Sequence, residues 1–286
     1  MDFLEQKLKV KPVPKNKVST EVKQNKEKIE VKTTIVDKTD TGYDRNLLKQ
    51  KMRDRGLVFS VEYKKKPDEY VDYLCKVVIP EIAKQGIAEY NDVFCEEGYF
   101  NLEQTKRILD KGCEYGLTPR IHADEFKNIG GSSIAGILKC VSADHLMKIN
   151  DEDIAHMLES NVTAVLLPGT TFFLGEKDYA PYEKLKNAGL DVAIATDYNP
   201  GSCNIQSMIF IIMLSVVYMK MEISEAIYSS TYIPAKVLNR HEKSGSVEVG
   251  KIADIIIWDV SSIIEIPYNF SINPIRTVIK SGNFVF

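Results

Sequence analysis

Apolar residues recur every three or four positions between residues 70 and 83, where Val71, Leu74, Val78 and Ile82 fall on one helical face. This spacing predicts an amphipathic helix. The run at residues 205–217 is longer and more apolar, but Gln206 and Ser207 interrupt it. It predicts a buried helix, because a membrane span needs roughly 18 or more apolar residues.

Between these helices, short apolar runs alternate with amphipathic stretches at intervals of about 20 to 30 residues. The apolar runs predict strands at residues 91–95, 119–123, 143–147, 164–168 and 192–196. The stretches between them predict helices at residues 102–115, 132–140, 151–159 and 182–188. A weaker strand at residues 57–61 precedes the series. This order predicts parallel strands joined by right-handed crossovers, in an open doubly wound sheet or in most of a (β/α)8 barrel.

Polar groups at the carboxyl ends of the predicted strands favour the barrel. These ends carry Cys95-Glu96, the run from His122 to Glu125, Asp144-His145 and the run from Asp197 to Asn199. A barrel gathers such ends around one mouth. Residues 245–259 and 275–286 follow with strand patterns, the latter folded back at Ser281-Gly282. We therefore expect an α/β protein with an incomplete (β/α)8 barrel at residues 42–244 and a β-rich appendage at residues 245–286.

Charge is distributed unevenly along the chain. Residues 1–66 hold 18 Lys and Arg against 10 Asp and Glu, and the remainder holds 19 against 30. The basic front has no nucleic-acid motif and is interspersed with acids, so we expect residues 1–41 to be a solvated, disordered leader. No apolar stretch of secretory type opens the chain. Five scattered cysteines without a CxxC pair predict reduced thiols and a cytoplasmic location.

His122 and Asp197 are a ligand pair suited to Zn or Fe, and Glu125 stands three residues beyond His122, where it could activate a water. Each residue also has an ordinary interpretation. His122 could be a hydrogen-bonded core or surface residue, and Asp197 could begin a turn or cap a helix. Their placement at the same predicted sheet edge makes a site as reasonable as its absence.

Other polar residues near that edge have two interpretations as well. His145 is either a proton carrier at the mouth or an ordinary buried imidazole. The turn from Asn199 to Ser202 could hold a carboxylate through its amides and hydroxyl. Ser132 or Ser133 is expected to cap the next helix rather than bind phosphate. His156 and His241 lie in charged surroundings and are expected to face solvent.

The residues just described resemble the imidazolonepropionase family. The resemblance is carried by Ile121-His-Ala-Asp-Glu-Phe126, Ser142-Ala-Asp-His-Leu146, Val165-Leu-Leu-Pro-Gly169, Ala195-Thr-Asp-Tyr-Asn-Pro-Gly-Ser202 and Asn273-Pro-Ile-Arg-Thr-Val-Ile279. It begins near Asp68 and runs to the end of the chain, over about 220 residues. It implies an amidohydrolase-type barrel and a cytoplasmic, metal-dependent hydrolase of histidine degradation.

Carried over residue by residue, the resemblance implies that His122 and Asp197 bind Zn or Fe. Glu125 would be the catalytic base in contact with the substrate ring, and His145 would assist at the ring. The implied substrate-binding residues are Asn199, Gly201 and Ser202, together with Glu125. The implied reaction hydrolyses the lactam C–N bond of 4-imidazolone-5-propanoate to give N-formimidoyl-L-glutamate. The expected partner is a small-molecule substrate, without nucleic acid or membrane, and the resemblance leaves room for a homodimer.

The chain departs from the family pattern before His122. The family opens its barrel with a His-x-His metal pair, whereas no histidine here precedes His122, and residues 58–63 lack a substrate histidine. We therefore expect a truncated or rearranged chain with little hydrolytic activity of its own. Two alternatives stand beside this interpretation: an inactive remnant that acts by association, for instance with a full-length homologue, and another cyclic-amide amidohydrolase.

Overall fold

The computed structural model describes residues 24–25, 28–29 and 66–285. The two short parts are β1 (Gln24–Asn25) and β2 (Lys28–Ile29), which form an antiparallel pair. The rest of the expected leader at residues 1–41, and the weak strand expected at residues 57–61, lie outside the described residues.

The helix predicted at residues 70–83 is present as one helical run with a wider turn inside it. The run consists of α1 (Pro67–Tyr73), a π-helical turn (Leu74–Val78) and α2 (Ile79–Gln85). Pro80 has no N–H to donate to the carbonyl four residues earlier, so an α-helical ladder is broken at this point. The N–H of Ile79 bonds to the carbonyl of Leu74 instead, which widens the helix by one residue.

Alternating strands and helices follow, and they confirm the predicted βα repeat. The strands are β3 (Tyr90–Cys95), β4 (Thr118–Ala123), β5 (Ser142–His145), β6 (Thr163–Leu166) and β7 (Val192–Ile194). The helices are α3 (Leu102–Glu114), α4 (Gly131–Ile137), α5 (Asp151–Glu159), α6 (Pro168–Leu174) and α7 (Tyr182–Ala188). Asn101 and Asn150 cap α3 and α5 with reciprocal side-chain bonds.

The five strands form one parallel sheet in the order β3-β4-β5-β6-β7. A doubly wound sheet reverses its strand order at a switch point, whereas a barrel adds each new strand beside the last. The sequential order therefore decides between the two folds left open by the sequence. The described strands are the wall of an incomplete (β/α)8 barrel, as expected.

The two faces of the sheet differ in polarity. One face buries Val93, Ile121, Ala143, Ala164 and Val192, neighbours in register, within the main hydrophobic core. Side chains alternate along a strand, so the row one position on faces the other way. That row consists of Phe94, His122, Asp144, Val165 and Ala193. The inner face is thus polar on β4 and β5, and apolar on β6 and β7.

Beyond β7 the chain forms two further helices, α8 (Met208–Tyr218) and α9 (Ile223–Val237). The first corresponds to the buried helix predicted at residues 205–217. A small antiparallel sheet follows, built from β8 (Ile255–Trp258), β9 (Ile275–Lys280) and β10 (Asn283–Phe284), with α10 (Glu265–Tyr268) between β8 and β9. This sheet confirms the β-rich end. Among the described residues, no helix has both the length and the apolar character needed to cross a membrane.

Candidate metal and hydrolase site

All seven predicted site residues line one cavity of about 250 Å³ at the carboxyl ends of the strands. His122 is on β4, Glu125 follows β4, and His145 ends β5. The other four follow β7 and are Asp197, Asn199, Gly201 and Ser202. The sequence did not single out Phe94, Tyr99, Phe126 or Pro200 as lining residues, although they complete the wall.

His145 reaches this cavity because of an unusual backbone conformation. Its register partner Ala123 faces α4, since a Cβ on Gly131 would lie 2.7 Å from the Ala123 Cβ. Regular alternation would turn His145 to that same outer face. Its φ of 79° redirects the ring, whose centroid lies 5.3 Å from the His122 ring. Non-glycine residues at positive φ store strain, and they concentrate at functional sites.

The same device recurs at two other strand ends. Asp124, after β4, has a φ of 55°, and Asp197, after β7, has a φ of 51°. Asp197 is held by Thr170, whose Oγ1 donates a hydrogen bond of 2.5 Å to its Oδ2. Thr170 is fully buried in the first turn of α6. The loop that carries Asp197 is therefore held by a side chain of α6.

His122 stands among carboxylates. Its Nδ1 lies 3.0 Å from Oδ1 of Asp92, and its Nε2 lies 3.8 Å from Oδ2 of Asp144. Burial opposes protonation of the ring, but the hydrogen bond to Asp92 and the charges of Asp144 and Asp197 outweigh it and raise the pKa of His122 to about 9. Burial also raises the pKa of Asp197. This concentration of negative charge favours a cation at the mouth.

His145 has the opposite electrostatic character. Burial and the nearby charge of His122 hold its pKa well below the ordinary value, so the imidazole is neutral at neutral pH. Its Nε2 lies 3.6 Å from Oε2 of Glu125 and 4.0 Å from Oδ2 of Asp197. Its buried Nδ1 has no hydrogen-bond partner among the described residues. A buried polar atom in this state is expected at a site that takes a ligand.

These residues fit a metal ion. Donor atoms of His122, His145 and Asp197 all lie within 4.8 Å of one another, and a second group consists of Asp92, His122 and Asp144. Two imidazoles and a carboxylate are a donor set that suits Zn or Fe. In the second group Asp144 is already engaged by Arg120 at 2.9 Å and by Ser142 at 2.9 Å. The first group is therefore the better candidate.

The turn from Asn199 to Ser202 is closed on itself. The N–H groups of Gly201 and Ser202 donate to Oδ1 of Asn199 at 2.8 and 2.7 Å. The Nδ2 of Asn199 donates in turn to the carbonyl of Asp197 at 2.8 Å and to Oγ of Ser202 at 3.0 Å. The turn expected from composition is confirmed, but its two amides are directed at Asn199 rather than at the cavity.

Several expectations from the sequence are wrong in detail. Ser132 and Ser133 do not cap α4, which begins after Gly130 without a side-chain cap; Ser132 donates to Asp124 and Ser133 to Asp153 instead. His156 is half-buried, with its Nδ1 2.9 Å from Oγ of Ser133. His241 is half-buried as well. Neither histidine lines the cavity.

Comparison with known proteins relates this chain to one group of hydrolases. It is 43% identical over 224 residues to the imidazolonepropionase of Alkaliphilus oremlandii, and 43% identical over 224 residues to that of Geobacillus kaustophilus. Each match covers 78% of this chain and 53% of the relative, so the chain spans about half the length of the curated relatives it matches.

Two further comparisons concern the fold. Residues 174–285 match the Amidohydrolase family. The crystal structure of an adenosine deaminase from Xanthomonas campestris with bound zinc superimposes with a TM-score of 0.60 at 17% identity, over 73% of this chain and 55% of that one. At this identity the structural likeness shows the fold alone, and it agrees with the barrel wall described above.

Proposed function

We propose that this imidazolonepropionase-like chain, built on an amidohydrolase fold, carries a metal-dependent site for hydrolysis of a cyclic amide. The substrate by homology is 4-imidazolone-5-propanoate, opened to N-formimidoyl-L-glutamate in histidine degradation. One observation carries the proposal: His122, Glu125, His145 and Asp197 line one cavity, although they come from the carboxyl ends of three different strands, β4, β5 and β7. We further propose a cytoplasmic protein that acts on a small molecule, does not use nucleic acid or membrane, and forms a homodimer.

In this proposal His122 and Asp197 hold the metal, which is Zn or Fe, and His145, although a donor atom of its ring is within reach of theirs, serves the substrate instead. A bound ion would lower the pKa of a water molecule and polarise the amide carbonyl. Asp92 orients the His122 ring through Nδ1, which leaves Nε2 directed away from Asp92. Thr170 orients the Asp197 carboxylate in the same manner.

Glu125 is proposed as the general base. Its carboxylate accepts a proton from the attacking water and passes it to the ring nitrogen that leaves. The neutral His145, 3.6 Å from Glu125, is proposed to donate a hydrogen bond from Nε2 to the oxygen on which negative charge develops. Its low pKa keeps it from holding a second proton that would repel the His122 side of the site.

The propionate group of the substrate is proposed to bind at Asn199, Gly201 and Ser202. Because the amides of Gly201 and Ser202 donate to Asn199, a carboxylate has to replace the Asn199 oxygen to use them. The domain assignment stays a proposal too: a leader at residues 1–41, the barrel at residues 42–244 and a β-rich segment at residues 245–286.

The test is to supply the purified chain with Zn or Fe and to follow loss of the imidazolone and formation of N-formimidoyl-L-glutamate. We expect turnover, however slow, that needs the metal and disappears in Glu125→Gln. His156→Asn is the matched control, because His156 lies outside the cavity. The proposal fails if no metal-dependent turnover is found either in this chain or in a version extended at its N-terminus by a His-x-His segment.

A further inference from the structure

Glu96 is a buried carboxylate beside the site that does not line its cavity. It follows β3 and is 1% exposed. Its Oε1 accepts hydrogen bonds from the backbone N–H of Glu97 at 3.0 Å and of Lys127 at 3.2 Å. Its Oε2 accepts one from the N–H of Phe126 at 3.0 Å. The charge is thus held by three main-chain donors.

Two of these donors belong to the residues that directly follow Glu125. Glu125 is itself 4% exposed, and its orientation depends on the course of the loop after β4. That loop begins with Asp124 at a φ of 55°, and Oγ of Ser132 donates to the Asp124 carboxylate. Hydrogen bonds to Glu96 therefore hold the backbone that follows Glu125. The hydrogen bond from Ser132 to Asp124 holds the residue that precedes it.

We propose that Glu96 is a positioning residue, which holds the 125–127 backbone so that the Glu125 carboxylate stays directed at Nε2 of His145. The kinetic consequence rests on the proposed function, but the placement of Glu125 does not. The sequence placed Glu96 among the polar groups at the barrel mouth. Its hydrogen bonds indicate that it acts on a neighbour rather than on a substrate.

Glutamine is a sharp probe of this role because it has nearly the same size but only one acceptor oxygen. Its NH₂ group would face either the N–H of Phe126 or the N–H groups of Glu97 and Lys127. In either orientation at least one buried donor loses its acceptor. Glu97→Gln is the matched control, since Glu97 is the next residue, its side chain is 59% exposed, and its carboxylate pairs with the side chain of Lys127.

The first measurement is amide hydrogen exchange in the purified metal-free chain. We expect the amides of Phe126 and Lys127 to exchange at least tenfold faster in Glu96→Gln, with no change in Glu97→Gln. The second is the ring-nitrogen chemical shift of His145 in ¹⁵N-histidine-labelled protein. Glu96→Gln should move it in the same direction as Glu125→Gln, while the resonance of His156 stays in place.

The kinetic measurement uses the assay of the proposed function on the chain extended by the His-x-His segment, in which turnover is expected to be higher. We expect Glu96→Gln to lower kcat more than tenfold with KM and metal content nearly unchanged. In a Glu125→Gln background, where turnover is lost, Glu96→Gln should add no further change to the His145 shift. Unchanged exchange and an unchanged His145 shift overturn the proposal, as does a loss of kcat that is matched by a loss of metal. A wild-type chain without metal-dependent turnover counts against the proposed function alone, because the first two measurements still decide the role of Glu96.

Discussion

The Nε2 atom of His145 lies 3.6 Å from Oε2 of Glu125, and both side chains are buried. This contact exists because His145 has a φ of 79°, which turns its ring from the helix-facing side of β5 into the cavity. It places a neutral imidazole beside the candidate base. The same imidazole is also close enough to His122 and Asp197 to act as a metal ligand.

Replacement of His122 and replacement of His145 should differ in their effect on metal affinity. We expect His122→Asn to lower the affinity for Zn by more than the roughly 10- to 100-fold that loss of a ligand's hydrogen-bond partner costs. His145→Asn should keep metal affinity within about threefold and lose turnover instead, as expected for a group that contacts the substrate. Chelator competition in solution gives the affinities. Equal losses in both variants would make His145 a ligand and contradict its assignment at the ring.

The hydrogen bond from Thr170 to Asp197 should contribute to metal affinity. Thr170→Val keeps the shape of the side chain and removes the donor, which costs about 1.5 to 3 kcal/mol for a charged acceptor and corresponds to a roughly tenfold or larger loss of affinity. Thr171→Val is the control, because Thr171 is also buried but its Oγ1 contacts the sulfur of Met147. The same chelator competition applies, and similar behaviour of the two valine variants would contradict the role of Thr170.

Packing of α4 against α5 should be intolerant of a side chain at Gly136. A Cβ there would lie 2.4 Å from the carbonyl oxygen and 2.5 Å from the carbonyl carbon of His156, and backbone atoms of a packed helix cannot move away readily. We expect Gly136→Ala to lower the free energy of unfolding by about 1 to 3 kcal/mol. Ile137→Ala, on the exposed side of α4, should cost less. Urea denaturation measures both, and a neutral Gly136→Ala would show that the helices separate freely.

The cysteines should differ in reactivity. Cys113 is exposed, whereas Cys75, Cys95, Cys140 and Cys203 are buried. Burial raises the pKa of Cys95 to about 11 and that of Cys140 to about 12. The thiolate is the reactive form, so we expect iodoacetamide at pH 8 to label Cys113 alone in the folded chain and all five in urea. Mass spectrometry of the labelled peptides identifies the sites.

The raised thiol pKa values also predict how the free energy of unfolding changes with pH. The folded state holds these protons more tightly than the unfolded state, so the unfolded chain binds fewer protons once the pH exceeds about 9. The contribution is fully present below the unfolded pKa and is lost as the pH rises toward 11. Unfolding free energies measured at pH 8 and pH 10 should therefore fall with pH, and Cys140→Ala should reduce that slope.

Local patterning predicted much of this fold. The helices Asp151–Glu159 and Tyr182–Ala188 have the predicted bounds, because helix capping and apolar spacing depend on residues that are close in the sequence. The helices Pro168–Leu174 and Ile223–Val237 were not expected. In the first, Pro168 extends an apolar strand pattern, although proline suits the first turn of a helix.

At the site, the sequence alone predicted that His122, Glu125 and Asp197 lie together, since the carboxyl ends of parallel strands in a barrel share one mouth. Asp92 and Thr170 could not be predicted, because each contacts a site residue that is distant in the sequence: Asp92 contacts His122, and Thr170 contacts Asp197. The orientation of His145 could not be predicted either. Strand alternation assigns it to the opposite face, and only its positive φ overrides that assignment.

These 286 residues should bind a metal ion only weakly by themselves. No histidine precedes His122, and among the described residues the better candidate group for a metal consists of His122, His145 and Asp197. Hydrolytic sites usually use three protein ligands or more to fix the ion and lower the pKa of its water. With His145 assigned to the substrate, two ligands remain. We expect weak metal binding and turnover near the limit of detection.

Adding an N-terminal segment that bears a His-x-His pair should raise metal content and turnover together, because each ~1.4 kcal/mol of recovered transition-state stabilisation gives a tenfold gain in rate. The measurement compares metal content and turnover of the two chains in the presence of added Zn or Fe. An extended chain with both histidines replaced by asparagine controls for the extra residues, since it should behave like the chain without the segment. If the 286-residue chain matches the extended one, and Glu125→Gln abolishes turnover in both, then His122, His145 and Asp197 suffice as ligands. In that case His145 belongs to the metal and not to the substrate.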